Sequence, residues 1–317
     1  MRRQSMLLVA PRQLEWVTEE LPPLQPNEVL VQTMAGAISI GSELPRYCGT
    51  TRSTHPVCYP QMTGYESTGT IVACGSAVQH LHSGDRVVAF YGHRTHGIVP
   101  EAKAIAVPQG IPDVLALLAI LTCDVSKGIR KVGIKTGETV LITGAGAIGL
   151  LTIFMHKAMG VQAVDIVEPR AEQRNLAVKM GTRKAMSPQE IETMNSRYDT
   201  GFECSSRSAA FELLQNSMCS EGRICILADG NLEPLVLAPA FHEKELRVVG
   251  SSDGWDYQEH ARWYFDVVRR YSYNIEQIFN YHTTADDLAA TFEQLATGAI
   301  TPTKVLVQYD RNKYQTS

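Results

Sequence analysis

Residues 139–149 read Thr-Val-Leu-Ile-Thr-Gly-Ala-Gly-Ala-Ile-Gly, a short apolar run that breaks into three glycines spaced G-x-G-x-x-G. Four consecutive apolar or β-branched residues bounded by glycine predict a strand buried on both faces, as parallel sheets require. The next residues, 147–159, suit a helix. Gly144 would make the tight turn, Gly146 would let the backbone approach a pyrophosphate, and Gly149 would let the helix pack on the strand. A second apolar run, 163–167, ends at Glu168, about 20 residues on, where an acid accepts the ribose hydroxyls of a dinucleotide. A glycine triplet alone is weak evidence. Strand, turn, helix and acid in that order predict a dinucleotide site, and a purely structural turn explains neither the third glycine nor Glu168.

A chain of 317 residues exceeds what one hydrophobic core usually holds, so two domains are expected. With 44% hydrophobic and 20% charged residues it has an ordinary globular composition. A net charge of −4 gives no electrostatic reason to expect nucleic acid or an anionic membrane as partner. No apolar run approaches the roughly 18 residues that span a bilayer. The start, Met1-Arg2-Arg3-Gln4, leads into a short strand rather than a signal peptide. Seven cysteines with no CxxC pair fit free thiols in a reducing cytoplasm.

The pattern along the chain divides near Pro112. Before it, 6–9, 14–17, 29–34, 68–73, 86–91 and 98–107 read as strands, and 40–64 reads as loop because Gly41, Pro45, Gly49, Pro56, Pro60 and Gly64 punctuate it. These are the short strands of a barrel-like domain. After it come two helical segments, 113–120 and 126–131. Strands at 140–143, 163–168, 200–204, 223–228 and 246–251 then alternate with helices at 147–159, 171–180 and 208–218. Such alternation predicts a parallel sheet covered on both faces. Two more helices, about 256–271 and 284–297, precede a last strand at 304–308.

Several stretches together resemble the medium-chain dehydrogenase/reductase superfamily, the family of the zinc alcohol dehydrogenases. They are Gly-Tyr-Glu-Ser-Thr-Gly-Thr-Ile-Val (64–72), Gly84-Asp85-Arg86-Val87, Lys-Thr-Gly-Glu-Thr-Val-Leu (135–141), the glycine loop, and Pro302-Thr303-Lys304-Val305. The resemblance implies an α/β fold: a GroES-like β-barrel catalytic domain (1–120 and 254–317) and a doubly wound Rossmann domain (121–253). It implies a homodimer or homotetramer with strand 246–251 at the joining edge. The departures matter as much. The positions of the family's zinc ligands fall on Ile40, on Tyr65 and near Ala119. Isoleucine cannot ligate a metal and tyrosine seldom binds zinc. The four-cysteine lobe of a structural zinc is missing from 92–110. The pairing of Ile-Ser-Ile-Gly-Ser-Glu (38–43) with Gly-Tyr-Glu in so short a chain is similar to the zinc-free branch that includes the bacteriochlorophyllide a dehydrogenases. No metal is therefore expected.

Without a Lewis acid, hydride transfer needs donors on the substrate oxygen and a route for a proton. Tyr65 is the candidate donor, against the alternative of an aromatic filling the vacated space. Ser42 occupies the place of the family's Ser/Thr proton relay, against a loop-capping hydroxyl. Glu66 and Glu43 match acids that lie behind the family's zinc. Glu66 could tune Tyr65 or serve as a base, although pairing with an Arg or a backbone donor is the plainer expectation. Cys123 and Asp124 are expected near the cofactor, with helix capping the alternative for Asp124. His93 and His96, three apart, read as an exposed loop rather than a metal pair, and His55, His80 and His82 as surface residues. Asp165, charged within an apolar strand, sits at an edge or pairs locally.

The cofactor-binding set is thus Gly144, Gly146, Ala147, Ile148, Gly149, Glu168, Arg170 and Cys123. Glu168 opposes a 2′-phosphate and favours NAD(H) over NADP(H). Arg170 softens that preference, since it could stack on adenine or bind the phosphate. The leading expectation is a zinc-independent oxidoreductase of a secondary alcohol or ketone, acting on a small-molecule substrate. A quinone or enoyl (C=C) reductase using NADPH and a non-catalytic nucleotide-binding protein are the alternatives.

Overall fold

The computed structural model describes residues 1–52, 58–192, 197–228, 233–252, 257–271 and 274–310. His55 and Pro56, named above, lie outside them. The chain divides into two compact units, Met1–Ile120 with Phe279–Ser317, and Leu121–Ile278.

The first unit is built on strands β1 (Arg2–Ala10), β2 (Gln13–Glu20), β3 (Glu28–Ile38), β4 (Gln61–Met62), β5 (Glu66–Cys74), β6 (Arg86–Ala89), β7 (His96–Pro100) and β8 (Ile105–Ala106), with helix α1 (Ile40–Cys48) after β3. Helix α2 (Asp113–Val132) begins in this unit. β3 is the organising strand. It pairs antiparallel with β5, with Ala37 opposite Glu66, and with β7 along its first half. Its Val29 and Val31 join Ile71, Val87 and Val99 in a closed apolar cluster.

Two expectations change here. Residues 40–64 are not all loop. Their Gly and Pro residues hide a helical turn pattern that buries Glu43 and Tyr47, and Gly49 ends α1 in the left-handed conformation (φ +70°) that suits glycine. The extended run 98–107 is interrupted by a 3₁₀ turn, Glu101–Lys103. The Glu101 carboxylate there accepts the amides of Gln79, His80 and Leu81 and ties two loops together.

The second unit carries β9 (Val140–Thr143), α3 (Ala147–Ala158), β10 (Val164–Val167), α4 (Ala171–Lys179), β11 (Lys184–Met186), α5 (Pro188–Glu192), β12 (Tyr198–Glu203), α6 (Ser208–Ser217), β13 (Met218–Ile226), α7 (Pro239–Glu243), β14 (Arg247–Gly250) and α8 (Tyr257–Arg270). Its six strands are all parallel, in the order β11-β10-β9-β12-β13-β14. The chain starts in the middle and winds outward both ways, so the switch point lies between β9 and β12, where doubly wound sheets bind ligands. β9 is wholly buried, as its unbroken apolar run requires. β11 was not anticipated, being only three residues long. α2 is one helix, where two were expected, so Asp124 lies inside it and caps nothing. The expected return to the barrel at residue 254 comes later. α8 stays with the nucleotide unit because Tyr264 and Phe265 are buried there, and Tyr264 meets Phe154 of α3 edge to face at 6.4 Å. Asp165 in β10 pairs locally: Arg183 reaches it at 2.6 and 2.9 Å and the Tyr198 hydroxyl at 2.9 Å.

The remaining elements, β15 (Phe279–Thr284), α9 (Leu288–Thr297) and β16 (Lys304–Gln308), belong to the first unit. β16 runs antiparallel to β3, with Val305 opposite Ile38. That register sets Lys304 beside Ser39.

Candidate active site

The nucleotide unit presents its site at the carboxyl ends of β9, β10 and β12. Gly144 turns the chain at φ +89°, and its N–H donates to Val167 O at 2.8 Å. A Cβ on Gly149 would stand 1.9 Å from Gly144 O, so only glycine lets α3 begin against the turn. At Gly146 a Cβ would meet nothing within 4 Å. The backbone there faces open space, and no side chain caps the first turn of α3. Open N–H groups at a helix N-terminus behind a glycine turn fit a pyrophosphate. A cleft of about 1470 Å³ opens from this turn, lined by Gly144, Gly146, Glu168, Arg170, Ser205 and Arg207 among others.

Glu168 lies where expected, after β10, and is buried. Its carboxylate is already engaged. Oε2 accepts Ala145 N–H at 2.9 Å, and Oε1 accepts the Arg170 backbone N–H (3.0 Å) and Nε (2.9 Å). Three of about four acceptor positions on a carboxylate are used, which leaves capacity for one ribose hydroxyl. Arg170 is half exposed and held by Glu168. Cys123 is buried in α2, with its Sγ 3.5 Å from Tyr257 O. Asp124 bonds the Tyr257 hydroxyl at 3.4 Å. Ser205 and Arg207 were not anticipated. Their signal was their place just after β12, the strand on the other side of the switch point.

The barrel unit gathers a second group. β3 delivers Ser39 at its end, α1 carries Ser42 and Glu43, the start of β5 carries Glu66 just after Tyr65, and β16 begins with Lys304. The Ser42 and Tyr65 hydroxyls are 3.0 Å apart. Burial first, and the Glu66 charge second, push the Tyr65 phenol far above its usual pKa, while hydrogen bonds from Ser39 and Ser42 pull the other way. Tyr65 is therefore a neutral O–H. Its ring stacks on half-exposed Phe90 at 5.8 Å. Glu43 accepts the Ser39 N–H (2.7 Å) and the Gly64 N–H (2.9 Å), the backbone pairing foreseen for it.

Glu66 has no Arg. Its partner is Lys304, whose Nζ lies 2.6 Å from Oε1 and 3.0 Å from Ser39 Oγ, and Ser39 Oγ also donates to Oε1. Desolvation pushes the Glu66 carboxyl up, against the opposing pull of Lys304 and Ser39. The expectation of an exposed His93 and His96 was wrong. Both are buried, and His93 Nε2 sits 3.3 Å from Glu43 Oε2. Polar side chains at the end of a barrel are covered by the strands that pair around them, which composition does not reveal. His80 and His82 are exposed, as expected.

The positions that carry zinc ligands in related enzymes do not fit a metal here. Ile40 packs against the apolar cluster of Met6, Leu8, Tyr47 and Phe292, and Ala119 is buried; neither has a donor atom. Tyr65 offers one phenol oxygen, which already hydrogen-bonds Ser42. Among the described residues no group of three or more His, Cys, Asp or Glu is arranged to hold a metal ion.

Residues 25–110 match the model of the alcohol dehydrogenase GroES-like domain. L-Threonine 3-dehydrogenase of Vibrio cholerae is 25% identical over 94% of this chain and 97% of its own length. Two solved structures superpose with a TM-score of 0.83, each over 97% of this chain and 99% of the other: a Sinorhizobium meliloti protein described as a zinc-binding dehydrogenase and bound to NADP, 21% identical, and an Escherichia coli alcohol dehydrogenase complexed with NADH, 18% identical. Residues 25–110 thus form an alcohol dehydrogenase GroES-like domain, and over nearly its whole length the chain is similar to dehydrogenases of the medium-chain, zinc alcohol dehydrogenase-like type. Among the described residues no helix is long and apolar enough to cross a membrane.

Proposed function

We propose that the protein is a zinc-independent, nicotinamide-dependent dehydrogenase that interconverts a secondary alcohol and a ketone. The observation that carries this is the Tyr65–Ser42 hydroxyl pair, 3.0 Å apart, with the buried Glu66 next to Tyr65 in the chain. Gly144, Gly146 and the amides of Ala147, Ile148 and Gly149 hold the pyrophosphate, and Glu168 takes the ribose. A bound nicotinamide supplies the hydride acceptor or donor. Tyr65 donates its hydrogen bond to the substrate oxygen, concentrating there the stabilisation that a Lewis acid gives elsewhere. Ser42 orients that hydroxyl, and Glu66 receives or returns the proton. Because Glu168 keeps one acceptor position and a negative charge for the ribose, NAD(H) is preferred. Its pairing with Arg170 moderates the repulsion of NADP(H). The exposed edge strand β14 is the proposed seam of a homodimer. Titration with NADH and NADPH followed by a panel of secondary alcohols and ketones tests the reading. It predicts tighter binding of NADH and turnover with at least one member. Failure to bind either coenzyme would contradict it.

A further inference from the structure

Lys304 is 1% exposed and Glu66 fully buried. Removing two charges from water costs several kcal/mol per ion and is offset only when all their polar atoms are satisfied. Here they are not. Lys304 and Ser39 both address Glu66 Oε1, while Oε2 is buried with no hydrogen-bond partner among the described residues. A pair kept only for stability would use both oxygens, since an unpaired buried acceptor forfeits about 1–3 kcal/mol. The group has a second oddity. Ser39 and Glu66 are the chain neighbours of Ile40 and Tyr65, the two positions where related enzymes bind their metal cation. Lys304 and Glu66 meet at Ser39, whose side chain also hydrogen-bonds Tyr65.

We propose that Ser39, Glu66 and Lys304 form a buried proton relay behind Tyr65, in which Glu66 is the proton terminus, Ser39 the conduit and Lys304 the fixed charge that holds the carboxylate ready. The proposal rests on the dehydrogenase reading and extends it to two residues outside the substrate contact. In alcohol oxidation the substrate O–H gives its proton to the Tyr65 oxygen as Tyr65 passes its own to Ser39 Oγ. Ser39 passes its own to Glu66. The C–H bond breaks with both electrons leaving as hydride to the nicotinamide, and the C=O bond forms. Glu66 ends protonated beside Lys304; ketone reduction runs the same transfers backwards. Ser39 and Lys304 are positioning residues, because neither touches substrate.

The test compares wild type with Ser39→Ala, Ser39→Thr, Lys304→Met and Lys304→Arg in the full-length protein, with NADH binding as the check on folding. Ser39→Ala should lower kcat about 100-fold, the scale of one proton-transfer group, with KM nearly unchanged. Ser39→Thr, which keeps the hydroxyl, should restore most of it. The rate in mixed light and heavy water should curve with deuterium fraction in wild type, as several moving protons require, and become linear in Ser39→Ala. In Lys304→Met the rate profile should shift to higher pH, since loss of the cation favours the protonated acid; Lys304→Arg should leave it in place. An active wild type with an equally active Ser39→Ala, or a Ser39→Thr no better than Ser39→Ala, overturns the relay alone. A wild type that binds NADH yet turns over no alcohol or ketone overturns the dehydrogenase reading and the relay with it.

Discussion

In the proposed chemistry Tyr65 acts through a single O–H, whose pKa is held far above its ordinary value by burial and by the Glu66 charge. It therefore stays a neutral donor across the working pH range. Tyr65→Phe keeps the ring stacked on Phe90 and removes only the donor. It should lower kcat by about 10²–10³-fold while leaving NADH affinity unchanged, which steady-state kinetics beside a fluorescence titration will read. At this scale the sequence was partly legible. Tyr65, Ser42, Glu66 and Glu43 stand in or beside recognisable motifs, so their grouping could be foreseen. Lys304 was visible only as part of a closing motif. Its contact with Glu66 depends on the β16–β3 register, made by strands far apart in the chain, and local pattern carries no trace of that pairing. Ser39 was overlooked because a serine before a helix reads as a cap.

The glycine turn separates two roles among its elements. Gly146 faces open space, so Gly146→Val should leave thermal stability within a few degrees of wild type and weaken NADH binding at least tenfold by filling the pyrophosphate cradle. Gly149 faces the carbonyl of Gly144, so Gly149→Ala should destabilise the nucleotide unit by about 2–4 kcal/mol through overpacking. Denaturant titration with and without NADH distinguishes the two. The alternating strands of this unit could be read directly, because strands covered on both faces are unbroken apolar runs closed by glycine. The exceptions have physical causes. β11 is too short to show a period, and in α1 the residues Gly41, Pro45 and Gly49 imitate a loop while the helix buries Glu43 and Tyr47 between them. Asp165 looked anomalous for its strand, and the structure resolves it through Arg183 and Tyr198. Asp165→Ala should cost about 2 kcal/mol, since it removes a buried carboxylate that both Arg183 and the Tyr198 hydroxyl address.

For the molecule as a whole, stability and activity follow from different groups. His156 is buried in α3 with Nδ1 on Thr152 O, and burial lowers its pKa to about 4. Its folded pKa lies below the unfolded value, so the neutral ring contributes stability that is complete above pH 6.5 and lost as pH falls toward 4. That loss amounts to about 2 kcal/mol at pH 5, and it should vanish in His156→Leu. Two compact units, each with its own core, allow the nucleotide cradle and the Tyr65 group to be tested separately. In the proposed chemistry the substrate oxygen is stabilised by Tyr65 and its buried partners instead of by a metal. The most direct measurement is turnover with NADH after exhaustive chelation, with the zinc content of the same sample determined. Full activity is expected at negligible zinc, with no gain when zinc is added back. Activity lost on chelation and restored by zinc would contradict it.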